Sequence, residues 1–109
     1  MTNVERIPVF LPCIDNDTKK HVNDALDVGW LGMGPLVKEF EERIANFLDL
    51  KDRFVVSTNT GTAALHIALR AAGIGSGDEV ITPSFNYVAD QQAIKMTGAD
   101  VVMCDIQDD

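Results

Sequence analysis

The chain has 109 residues, 46% of them apolar and 24% charged, with 8 Gly and 4 Pro, which is the composition of a single globular domain and excludes disordered, collagenous and fibrous classes. A chain this short buries about 65% of its extended surface on folding, which leaves no room for two domains. Its formal net charge of −8 repels phosphate backbones and argues against nucleic acid as a partner.

In chain order, residues 7–12 form a short apolar stretch between Pro8 and Pro12. Proline removes ladder donors, so this reads as an extended arm and not a central strand. Asp15, Asn16 and Asp17 then supply a helix N-cap and acidic first turn, and Val22, Ala25 and Leu26 share one face of a helix that ends near Gly29. Trp30 to Gly34 form a loop, and Pro35 pre-sets the first turn of a second helix. In that helix Val37, Phe40, Ile44, Phe47 and Leu48 are expected to pack, with Lys38, Glu39, Glu41, Glu42 and Arg43 in solvent.

Beyond Arg53 the pattern becomes β-α-β-α-β. Phe54-Val55-Val56-Ser57 reads as a strand, Thr58 to Thr62 as a turn, and residues 63–72 as a helix apolar nearly all round, for which burial is expected. A second strand covers residues 79–82, a helix residues 87–97 closed by Gly98, and a third strand residues 100–105. Short links between alternating elements predict a parallel sheet with right-handed crossovers. Three strands are few for such a sheet, so the expectation is a piece of a larger α/β domain.

Ligands of open α/β sheets bind beyond the carboxyl ends of the strands, where helix N-termini present free N–H groups to anions. Two loops meet that description. In Asn59-Thr60-Gly61-Thr62-Ala63, Gly61 allows close backbone approach and the threonines offer hydroxyls, which suits a phosphate. Composition alone favours the plainer alternative, in which Thr60 caps the helix and Gly61 eases the turn. Neither the dinucleotide glycine fingerprint nor the nucleotide-triphosphate loop is matched. In Pro83-Ser84-Phe85-Asn86-Tyr87, Phe85 is expected in the core, and Tyr87 is the better candidate for stacking on a flat heteroaromatic ring.

Gly29-Trp30-Leu31 with Gly34-Pro35, then Thr60-Gly61-Thr62-Ala63-Ala64-Leu65, then the run from Gly73 through Asp78-Glu79-Val80-Ile81-Thr82-Pro83-Ser84-Phe85 together resemble the DegT/StrS family of pyridoxal-phosphate sugar aminotransferases, over nearly the whole chain. The resemblance implies an α/β fold, a partial three-layer α/β/α sandwich of the aspartate-aminotransferase kind (fold type I). Residues 1–52 would be an amino-terminal arm with helices, and residues 53–109 the start of the cofactor-binding large domain. It also implies that Thr60, Gly61 and Thr62 hold the phosphate of pyridoxal 5'-phosphate (PLP) and that Tyr87 stacks on its ring. Trp30, Leu31 and Gly32 would lie near a bound sugar, often across a dimer interface, although Gly32 stands where many relatives carry a hydroxyl residue. Asp105 matches an acidic position read as structural, and the carboxylate facing the pyridine nitrogen would come later. Family chemistry moves an amino group, with glutamate as donor, onto a nucleotide-linked keto sugar in a homodimer. Some relatives replace the lysine with histidine and remove a hydroxyl instead. From another class, a complete non-catalytic flavodoxin-like or Rossmann-like module remains an alternative.

Transamination needs a Schiff-base lysine with a perturbed pKa. Lys19, Lys20, Lys38, Lys51 and Lys95 are all expected in polar, helix-surface contexts, so that lysine is expected beyond Asp109 and the 109 residues alone are expected to be inactive. His21 and His66 read as structural. Cys13 and Cys104 lie too far apart for metal-ligand spacing and read as small apolar side chains in a reducing cytoplasm, so no metal is expected. No apolar run approaches the roughly 20 residues of a membrane helix, and Met1-Thr2-Asn3 begins no leader, so a cytoplasmic, unanchored protein is expected.

Overall fold

The computed structural model describes residues 7–107 except Val9. Val9 in the arm, the chain start read for a leader, and residues 108 and 109 lie outside the described residues. The elements are α1 (Asn16–Val28), α2 (Pro35–Phe47), α3 (Gly61–Ala71), β1 (Glu79–Pro83), α4 (Ala89–Thr97) and β2 (Asp100–Cys104).

Local chemistry sets the helix ends. The Asp15 carboxylate caps α1, accepting from the Thr18 N–H and hydroxyl at 2.7 Å each, and these bonds, the N–H foremost, hold its carboxyl below the ordinary aspartate range. Gly29 closes α1 in the left-handed region at φ 72°. Pro35 opens α2 at its first turn. Gly98 ends α4 at φ 91° and turns the chain directly into β2.

The strands β1 and β2 pair in parallel, with Glu79 opposite Asp100 and Pro83 opposite Cys104. The crossover between them is α4, which packs on the sheet, while α3 packs on α4. The core sits where these meet: Ala89, Ala93, Ile94, Ala99, Thr82 and Thr97 are buried. Thr97 satisfies its hydroxyl inside that core, donating to the Ile94 carbonyl at 2.7 Å and accepting from the Ala99 N–H at 3.3 Å.

Several expectations need correction. Phe54-Val55-Val56-Ser57 forms no strand among the described residues; it is extended, but no neighbouring strand offers it ladder bonds, and Phe54 is 94% exposed. The helix α3 holds no buried residue, because α4 covers only one side of it. The fourth helix begins at Ala89 and not at Tyr87, and Phe85, expected in the core, is 81% exposed. On α2 the half-buried stripe is Val37, Glu41, Ile44 and Ala45, whereas Phe40 and Phe47 face outward.

Neither α1 nor α2 packs against another helix or strand. The radius of gyration is 19.1 Å, against about 13 Å for a compact chain of this length. Two layers of the expected three-layer sandwich are thus present among the described residues, and the face of the sheet turned away from the buried Thr82 is bare at Ile81, which is 71% exposed. No helix among the described residues is long and apolar enough to cross a membrane.

Candidate functional site

The connections at 72–78 and 84–88 are short, so α3 and α4 both run back against the strands and direct their N-termini toward the carboxyl end of the sheet. The two candidate loops lie at these neighbouring helix starts. In the first, Thr60 Oγ1 accepts the Ala63 N–H at 3.0 Å, and the Thr60 carbonyl takes the Ala64 N–H at 3.1 Å and the Thr58 hydroxyl at 2.8 Å. The capping role open to Thr60 from composition is therefore realised. It does not exhaust the loop. Among the described residues, the N–H groups of Gly61 and Thr62 and the hydroxyl of Thr62 donate to no protein acceptor. A Cβ placed on Gly61 would meet nothing within 4 Å. Two amides and a hydroxyl at the positive end of a helix, without protein partners among the described residues, form a donor set of the kind that binds anions.

In the second loop, Tyr87 is 77% exposed, which leaves its phenol ring largely in solvent. Its backbone is fixed from below. The Tyr87 N–H donates to Asn86 Oδ1 at 2.8 Å, the Asn86 amide nitrogen donates to Asp90, and Asp90 also accepts from the buried Thr82 hydroxyl at 3.3 Å. Asn86 and Asp90 were not singled out from the sequence, although their four-residue spacing across a helix start is the signal that pairs them.

Trp30, Leu31 and Gly32 lie elsewhere, in the loop between α1 and α2. Trp30 and Gly32, with His21, Asp24, Ala25, Val28, Gly34, Pro35 and Leu36, line a mostly apolar cavity of about 460 Å³, and no hydrogen bond among the described residues ties this loop to the other two. The Trp30 indole donates to the Met33 carbonyl at 3.0 Å and lies over Gly34, where an added Cβ would come within 2.6 Å of Nε1. Gly34→Ala is expected to push the indole off this seat and cost about 1 kcal/mol through the lost bond. Trp30 is the sole tryptophan of these 109 residues, and in them a change of tryptophan emission reports the displacement.

The remaining candidates stay at the surface. Lys20, Lys38, Lys51 and Lys95 pair with Asp24, Glu42, Asp49 and Asp100, all in solvent. His21 bonds the Asp17 carbonyl through Nδ1 at 2.8 Å, and His66 is half-buried on α3. Asp105 accepts the next residue's N–H at 2.9 Å. Cys13 and Cys104 are exposed free thiols and not packed apolar side chains as expected, since the sheet edge and arm around them are uncovered. Among the described residues no three metal-ligating side chains gather.

Comparison with known proteins identifies the lineage. Residues 12–109 match the model of the DegT/DnrJ/EryC1/StrS aminotransferase family. The chain belongs to that family. A GDP-perosamine synthase of Vibrio cholerae is 43% identical over 93% of this chain and 27% of its own length. The spore coat polysaccharide biosynthesis protein SpsC of Bacillus subtilis is 41% identical over 94% of this chain and 26% of its own. Among solved structures, Spr1654 of Streptococcus pneumoniae, described as a sugar aminotransferase and solved in its PLP form, superposes with a TM-score of 0.83 at 39% identity, over 96% of this chain and 26% of its own. The DegT/DnrJ/EryC1/StrS chain thus spans about a quarter of the length of these relatives.

Proposed function

We propose that this chain is the amino-terminal quarter of a PLP-dependent aminotransferase acting on a nucleotide-linked keto sugar, and that it supplies the phosphate cradle and stacking face of the cofactor site. The free amides of Gly61 and Thr62, with the Thr62 hydroxyl, at a helix start on the same end of the sheet as the exposed Tyr87 are the observation that carries this reading. In it, Thr60 shapes the turn by capping α3, Gly61 and Thr62 donate to the phosphate, and the Tyr87 phenol covers one face of the pyridine ring. Bound PLP supplies an electron sink for breaking bonds at the amine carbon. The residues described here orient the cofactor and exclude water from one of its faces, and the lysine that bonds to it lies outside these 109 residues.

Glutamate as amino donor, a homodimer, a cytoplasmic location, and Trp30, Leu31 and Gly32 at the sugar belong to the same proposal, as does the division into residues 1–52 and 53–109. GDP-perosamine synthases among the relatives support a nucleotide sugar as substrate. The test uses the full-length protein. Addition of PLP is expected to raise a visible-range absorption band, and borohydride is expected to leave the cofactor attached to the protein after denaturation, which is the behaviour of a cofactor bonded to lysine. A band whose cofactor washes out on denaturation after borohydride treatment would point to the dehydrating relatives, and no band at all would overturn the cofactor assignment.

A further inference from the structure

Glu41 behaves unlike the other acidic side chains of α2. One of its carboxylate oxygens accepts both the N–H and the hydroxyl of Ser57, each at 2.8 Å, across 16 positions of sequence. Glu39 and Glu42, by contrast, pair with Arg43 and Lys38 within the helix, in solvent. These two bonds are the only side-chain hydrogen bonds that leave α2 among the described residues, and α2 packs against no other helix or strand.

Ser57 ends the extended segment that runs into the candidate cradle. That segment makes no ladder bonds among the described residues, so Glu41 fixes its carboxyl end. From there the fastening continues: the Thr58 hydroxyl bonds the Thr60 carbonyl at 2.8 Å, and the Thr60 hydroxyl caps α3 through the Ala63 N–H at 3.0 Å. An ionised carboxylate is the side chain best suited to this task, because one oxygen accepts two donors in charge-assisted bonds. The Ser57 N–H first, and then its hydroxyl, hold the Glu41 carboxyl below the usual glutamate range. The charged groups lining the same groove are Lys38 and Glu42 on α2 and Arg53 ahead of the extended segment.

We propose that Glu41 is a positioning residue that sets the phosphate-binding turn Thr60-Gly61-Thr62 by anchoring Ser57. This rests on the reading of that turn as the PLP phosphate cradle. Glu41 touches no part of the cofactor; it decides where the Gly61 and Thr62 donors stand.

The experiment titrates the full-length apoprotein with PLP and, separately, with pyridoxal, which lacks the phosphate. Glu41→Ala is expected to weaken PLP about tenfold while changing pyridoxal affinity less than about twofold. Glu41→Gln keeps an oxygen that accepts from Ser57 and is expected to recover most of the loss. Should Glu41→Ala fail to fold, Ser57→Ala decides the matter: it removes one bond of the two and is expected to lower the PLP-to-pyridoxal affinity ratio about threefold. Equal weakening of both ligands, or of neither, overturns the positioning role. Thr62→Ala serves as the control. If that variant also leaves the ratio unchanged, the cradle reading falls, whereas a lowered ratio at Thr62 with none at Glu41 overturns only the role of Glu41.

Discussion

Thr62→Val in the full-length protein is expected to weaken PLP binding about ten- to a hundredfold, the worth of one hydrogen bond to a charged group. Valine preserves the shape of threonine and removes only the hydroxyl. That hydroxyl has no protein partner among the described residues, so its loss breaks nothing within the fold and any effect must arise from the ligand. Thr60→Val makes the contrast, because the Thr60 hydroxyl already caps α3. Its removal is expected to cost about 1 kcal/mol of stability, with the smaller share of the effect in cofactor affinity. Absorbance titration with PLP and a denaturant midpoint for each variant separate the two roles. A Thr62→Val protein that retains PLP as the parent does would place the phosphate elsewhere.

The distinction between Thr60 and Thr62 was only half legible in the sequence. Capping by Thr60 follows from residue type and position, since a threonine ahead of an apolar helix accepts a nearby N–H whatever else it does. Which donors remain free after capping depends on the turn geometry, and only the coordinates supply that. The ends of α1 and α2 were read from Asp15, Gly29 and Pro35 because capping chemistry is local. The unpaired state of Phe54-Val55-Val56-Ser57 was not readable, because strand propensity says nothing about the presence of a partner. Charge alone places Glu41 in solvent with the other charged residues of α2, and its partner Ser57 lies too far along the chain for any helical-spacing rule. One signal was there nonetheless: Glu41 falls four residues after Val37 and three before Ile44, on the half-buried stripe of the helix, where an unpaired carboxylate would be costly.

Ile94→Ala is expected to destabilise the protein by about 3 kcal/mol, because the cavity left in a core adds to the lost transfer energy. Ile94 is 3% exposed and is the one large apolar side chain in a core otherwise built of Ala89, Ala93, Ala99, Thr82 and Thr97. Small residues let α4 approach the sheet closely, but they bury little area each, so this contact concentrates its stabilisation on one side chain. Ile67→Ala gives a sharper result. Ile67 is 56% exposed on α3, a helix whose only charged or imidazole side chains are Arg70 and His66. An apolar helix keeps so much surface in water only where nothing is available to cover it. In a protein four times this length the covering layer has the chain to form it, and Ile67→Ala is then expected to cost about 2 kcal/mol, well above the roughly 0.5 kcal/mol typical of a surface site. Denaturant unfolding of both variants measures the two costs. A loss at Ile94 with none at Ile67 would mean that the outer face of α3 stays wet in the whole protein, and the expected third layer does not form over it.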